Sequence, residues 1–239
     1  MTSTQILLKA TQHLSDIVSK LDFADPVTHV YNPLEYAGEP YEHYLLRYGS
    51  GTRETIFIGM NPGPFGMVQC GIPFGEIAIV RDWLKIEGKI EKPRVENPKR
   101  PVEGFSCTRS EVSGRRLWGL FRERFSTPER FFERHFVANY CPLAFFNEGR
   151  NLTPDKLPAK EAAPLYAACD DYLRILVKAF SAKWVIGVGA FASKRAHQAL
   201  DGMNVNIGTI LHPSPASPAA NRGWNDIATK QMIALGIWS

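Results

Sequence analysis

Glu54-Thr-Ile-Phe-Ile-Gly-Met-Asn-Pro-Gly-Pro-Phe-Gly-Met-Val-Gln-Cys-Gly-Ile-Pro-Phe-Gly75 begins as an apolar, β-branched run and breaks abruptly into glycines and prolines. Thr55 to Ile58 suit a buried strand. Gly59, Gly63, Gly66, Gly71 and Gly75 free the backbone after it to curl around something small. Pro62, Pro64 and Pro73 stiffen the same loop, so its backbone N–H groups are set before a ligand arrives. Ligands of α/β sheets collect at the carboxyl ends of the strands, which is where Met60 and Asn61 fall.

Outward from this stretch, short apolar runs alternate with helical spacing. Leu7, Leu14, Ile17, Val18 and Leu21 mark a helix over 6–21, followed by a turn-rich connector over 25–40 and a short helix over 41–48. Beyond the glycine loop, a helix is expected over 76–84, then an irregular insertion containing Pro93, Pro98 and Pro101, then a helix over 113–125. Strands are expected over 136–140, 184–189 and 205–211, and helices over 159–182, 190–200 and 225–237. This alternation predicts an α/β fold, a three-layer αβα sandwich with a four-stranded, mostly parallel central sheet. Asn61, Asn139 and His212 then stand at strand ends, whereas Gly187-Val-Gly189 offers backbone alone.

The chain of 239 residues is long enough for one domain, residues 1–239, with the first helix packed upon it. Its 44% hydrophobic and 22% charged residues are those of a globular protein, and no apolar run approaches the length of a membrane span. Lys9, His13 and Asp16 interrupt the amino-terminal apolar residues, so no signal peptide is expected there and the protein is expected in the cytoplasm, or in the nucleus of a eukaryote. The four cysteines are far apart and the histidines show no ligand spacing beside them, so neither a zinc site nor an iron–sulfur cluster is indicated.

The net charge of +4 is concentrated between Lys85 and Arg124, where eleven basic residues face six acidic ones. A polyanionic partner would bind there through counterion release, although a solvated loop face has the same composition. The second proline-stiffened loop, His212-Pro-Ser-Pro-Ala-Ser-Pro-Ala-Ala-Asn-Arg-Gly-Trp224, puts a histidine at a strand end like that of Asn61.

Gly59-Met-Asn-Pro-Gly-Pro-Phe-Gly-Met67 together with His212-Pro-Ser-Pro215 resembles the single-strand-selective monofunctional uracil-DNA glycosylases, family 3 of the uracil-DNA glycosylase superfamily. The likeness extends through Ile72-Pro-Phe-Gly75, Pro98-Lys-Arg-Pro-Val102, Ser110-Glu-Val-Ser-Gly114, Leu117-Trp-Gly119, Asn139-Tyr-Cys-Pro-Leu143 and Ala220-Asn-Arg-Gly-Trp224. It covers the chain from about Tyr31 onward and leaves the first helix weakly matched.

The resemblance implies a uracil flipped out of DNA and hydrolysis of its N-glycosidic bond, without a lyase step, a metal or a cofactor. In that scheme Asn61 holds the attacking water and His212 faces uracil O2. Asn139 reads the base edge, Phe74 stacks on the ring, and Met60 and Gly63 complete the pocket. Gly63 stands where the main family carries a tyrosine that blocks thymine's methyl, so 5-hydroxymethyluracil is expected to enter as well. The wedge is expected over Pro213, Ser214, Pro215, Ala216 and Arg222; Ala216 replaces the arginine of vertebrate relatives. Lys99, Arg100, Arg109, Arg115 and Arg116 are candidate phosphate contacts, and the enzyme is expected to act as a monomer on single-stranded and duplex DNA.

These roles suit the chemistry. Departure of the base builds negative charge on it, which a fixed donor near O2 stabilises. A histidine can donate while neutral. An asparagine takes up no proton at neutral pH, so Asn61 can position water but cannot be a true base. Two alternatives share these residues: a same-fold glycosylase preferring xanthine or hypoxanthine, and a non-catalytic binder of damaged or single-stranded DNA.

Overall fold

A computed structural model describes residues 1–239. Its strands, in chain order, are β1 (His29–Tyr31), β2 (Thr55–Gly59), β3 (His135–Asn139), β4 (Ala144–Asn147), β5 (Arg150–Leu152), β6 (Trp184–Val188) and β7 (Asn206–Ile210). The central sheet has the order β3-β2-β6-β7 and every pairing in it is parallel, so the expected mostly parallel sheet is parallel throughout. All five residues of β2 are buried, as a continuous apolar run in the middle of such a sheet requires.

Helices cover both faces. Phe57 packs on Phe121 at 5.0 Å, on the side of helices Val112–Phe125 and Pro128–Phe132. Phe136 packs on Phe180 at 4.7 Å and Tyr44 at 5.0 Å, on the side of helices Ala159–Phe180 and Gly38–Tyr48. The first helix, Ser3–Val18, shares this core through Leu7, Leu14 and Val18. It starts three residues before the expected Ile6 because Thr2 and Gln5 form a capping box.

Register sets the site. Gly59 pairs with Asn139, and the ladder continues through Tyr140 N–H to Gly59 carbonyl and Cys141 N–H to Met60 carbonyl, each 2.9 Å. The chain leaves β2 for β3 on one side and returns to β6 on the other, so the order reverses beside the carboxyl end of β2. That switch point is where an open α/β sheet leaves a crevice.

A second sheet, antiparallel with the order β1-β4-β5, was not anticipated. The connector over 25–40 contains β1 and the one-turn helix Pro33–Tyr36, and β4 and β5 form a hairpin. Strands of three or four residues show no readable alternation, and β1 finds its partner more than a hundred residues away. The hairpin does have a local signature, because Glu148 and Gly149 both take positive φ, at 47° and 86°. The glycine loop also holds one helical turn, Met67–Cys70, and Gln69 within it ties Pro64 and Pro101 together through its amide.

Candidate active site

A cavity of about 710 Å³ opens at the carboxyl end of the central sheet, and Met60, Asn61, Gly63, Phe74, Asn139 and His212 all line it. Residues from three separate loops are thereby brought together. Gly59 permits the convergence: a Cβ there would come within 2.5 Å of both Asn139 Oδ1 and the Phe74 ring. Phe74 itself holds φ of 54°, a strained conformation for a bulky residue. Helix Val112–Phe125 supports it, since Gly114 lets the Phe74 carbonyl approach the helix closely and Trp118 Nε1 donates to the Pro73 carbonyl at 3.1 Å.

The Asn61 amide nitrogen donates to the Leu143 carbonyl at 3.1 Å. A carbonyl accepts only from the NH2 end, so this bond fixes which way the amide faces and leaves Oδ1 as the free acceptor. Asn139 Nδ2 meets only the thioether of Met67, at 3.2 Å, so its donor is not committed to a strong acceptor.

The His212 ring lies 6.1 Å from the Phe74 ring and backs onto Gly189, where a Cβ would stand 3.1 Å from the His212 Cβ. Burial pulls the imidazole down to about 4, so it is neutral at physiological pH. Burial, aided by the charges of Arg134 and Arg124, pulls His135 down to about 3. Both groups take up protons near 6.5 once unfolded and resist doing so in the fold, so acid favours the unfolded chain. Stability is therefore expected to fall by a few kcal/mol as pH drops from 6.5 toward 4, the raised carboxyl of Glu111 offsetting part of the loss. Urea midpoints at pH 7.5, 6 and 5 check this; a flat profile would mean that the two histidines titrate normally in the fold.

The cavity also contains side chains that sequence reasoning did not assign to the site. Asn151 and Thr153 arrive on the hairpin and the residues just after it, and Ser110, Glu111 and Ser113 come from a motif noted only for its likeness. Glu111 is the informative one. Burial pushes its carboxyl up, and its Oε2 would lie 2.5 Å from a Cβ at Gly63. The space left by Gly63 is thus walled by a carboxyl group.

The basic residues separate into distinct environments. Arg109 lines the cavity and stacks on Phe65, 3.8 Å from the ring centre, while Arg100 flanks the same ring and donates to the Gly149 carbonyl at 2.7 Å. Lys99 and Arg115 are exposed outside the cavity lining. Lys89, Lys92 and Arg94 are taken up in ion pairs with Glu91, Glu96 and Glu35, so the basic segment is less free than its charge count suggests. Arg116, a candidate phosphate contact, instead donates to the carbonyls of Pro213 and Ser214 and to Asn221. Of the expected wedge, Ser214 and Pro215 line the cavity; Pro213 is buried, and Ala216 and Arg222 are exposed outside the lining.

A profile of the uracil DNA glycosylase superfamily matches residues 46–232. The single-strand selective monofunctional uracil-DNA glycosylase of Rattus norvegicus is 48% identical over 233 residues, covering 96% of this chain and 84% of the rat protein. The chain belongs to this family of uracil-DNA glycosylases. The Bos taurus glycosylase is 46% identical over the same 96% of the chain and 86% of its own length. In fold, the glycosylase superposes on wild-type Pedobacter heparinus SMUG2 with a TM-score of 0.70, at 17% identity and 99% coverage of both chains. Family membership accounts for the shared motifs, and no helix of this glycosylase is long and apolar enough to cross a membrane.

Proposed function

We propose that the protein is a DNA repair glycosylase that flips uracil out of DNA and hydrolyses its N-glycosidic bond, leaving an abasic site. One observation carries this reading: the amides of Asn61 and Asn139, the Phe74 ring and a neutral His212 imidazole share one cavity. Asn61 Oδ1 holds the water, and the reaction draws on an electrophilic, oxocarbenium-like sugar because an amide cannot deprotonate that water into a strong nucleophile. Asn139 pairs with the O4 and N3–H edge of uracil, an edge that cytosine reverses, and Phe74 covers the face of the ring. His212 donates to O2 as negative charge develops there. A pure binder of DNA would need neither the positioned water nor the donor.

Gly63 admits 5-hydroxymethyluracil, whose hydroxyl can donate to the Glu111 carboxyl, whereas thymine's methyl cannot. Arg109, Arg100, Lys99 and Arg115 contact phosphates, and Pro213 to Ala216 with Arg222 enter the vacated stack. The enzyme acts as a monomer, in the cytoplasm or the nucleus.

Alkali-revealed cleavage of single-stranded oligonucleotides carrying uracil, 5-hydroxymethyluracil, thymine or xanthine, with EDTA present, tests the reading. Uracil and 5-hydroxymethyluracil should be released; release of xanthine alone would redirect it to purines. Gly63→Ala puts a Cβ 2.5 Å from Glu111 Oε2, so the carboxyl must shift, and should lower kcat/KM for 5-hydroxymethyluracil about tenfold more than for uracil. Equal losses would remove Glu111 from base selection.

A further inference from the structure

His212 has no hydrogen-bond partner within the protein, although a catalytic histidine is commonly oriented by a bond to its second ring nitrogen. Its backbone neighbours are held instead. On the amino-terminal side, Leu211 N–H donates to Gln231 Oε1 at 2.8 Å and the Leu211 carbonyl accepts from Trp224 Nε1 at 2.7 Å. On the carboxyl-terminal side, Arg116 Nη1 donates to the Pro213 carbonyl at 3.0 Å and the Ser214 carbonyl at 3.3 Å. Its Nη2 reaches Asn221 Oδ1 at 2.9 Å, and Asn221 in turn donates to the Pro215 carbonyl at 2.9 Å. Arg116 has no carboxylate partner, so its guanidinium is spent on loop oxygens. Proline at 213 and 215 and the Gly189 contact behind the ring leave His212 little freedom once these bonds form.

We propose that Arg116, Trp224 and Gln231 are positioning residues that clamp the backbone on both sides of His212 and so aim the imidazole at the departing base. The clamp rests on the reading of His212 as leaving-group donor, and it takes Arg116 out of phosphate binding. Trp224 is a buried core residue that also has a polar role through its indole N–H.

The test measures single-turnover release of uracil from a single-stranded oligonucleotide at saturating enzyme, which does not depend on the fraction of active protein. Trp224→Phe removes the N–H together with part of the buried indole, Arg116→Lys keeps the charge but cannot span the same acceptors, and Gln231→Met removes the acceptor. Each should slow release about ten- to a hundredfold in the wild-type background. Each should have no more than about a twofold effect in a His212→Ala background, because a group acting through His212 has nothing left to position. Arg116→Lys and Arg116→Gln should also leave the salt dependence of DNA binding unchanged. Full additivity with His212→Ala, a wild-type rate in the single variants, or a fall of about one in the salt slope for Arg116→Gln would overturn the clamp. A wild-type rate for His212→Ala itself would instead overturn the role of His212. Thermal unfolding of each variant identifies any that fail to fold, and those that do fold decide the question.

Discussion

His212→Ala should release uracil on the order of a hundred- to a thousandfold more slowly than the wild type, the usual cost of losing one preorganised donor to a developing anion. The loss should fall on the chemical step, leaving affinity for a uracil-containing oligonucleotide within a few-fold. The imidazole is not hydrogen-bonded to the rest of the protein, so its removal orphans no buried partner and folding should survive. Because burial holds the group down to about 4, wild-type rates should show no inflection near 6.5. A donor that had to be protonated would instead lose activity as pH rose through 6.5. Single-turnover rates from pH 5 to 8.5 for both proteins separate these cases; a wild-type inflection that vanishes in His212→Ala would establish a charged donor.

Asn61→Ala should cost on the order of a hundredfold or more in rate if Asn61 places the attacking water as proposed. The geometry narrows the reason. With its NH2 held by the Leu143 carbonyl, Asn61 presents Oδ1 to the cavity, so alanine removes the acceptor that would orient a water O–H. It also leaves the Leu143 carbonyl without this donor, at about 1 kcal/mol of stability, which the fold should tolerate. Binding of uracil-containing DNA should change little if, as proposed, the side chain serves the water rather than the base. A variant that cleaves at the wild-type rate, or one whose defect lies wholly in binding, would remove Asn61 from water positioning.

Much of this architecture is legible along the chain. The runs at Thr55–Ile58, Phe136–Tyr140, Trp184–Gly189 and Val205–Leu211 correspond to the central strands within about a residue; the first three are near-continuously apolar as buried parallel strands require, and β7 is a partly exposed edge strand. The glycine-proline loop and the His212 loop announce themselves by composition, and the motifs place the chain in its family. Less legible were β1, β4 and β5, each only three or four residues long and stable only against one another. With them went Asn151 and Thr153, which enter the cavity wall on or just after that hairpin.

By itself the sequence determined the sheet, the family and the polar residues at the strand ends, since periodicity and loop chemistry are written within a few residues of each position. Only the tertiary structure decided what those residues meet. Glu111 stands against Gly63, Leu143 fixes the face of Asn61, and Arg116 turns from solvent to the loop after His212. These pairings join residues some fifty to a hundred positions apart. They depend on how closely helices pack on a sheet, and a hydrogen bond is made or lost within less than an ångström, finer than any spacing along the chain can specify.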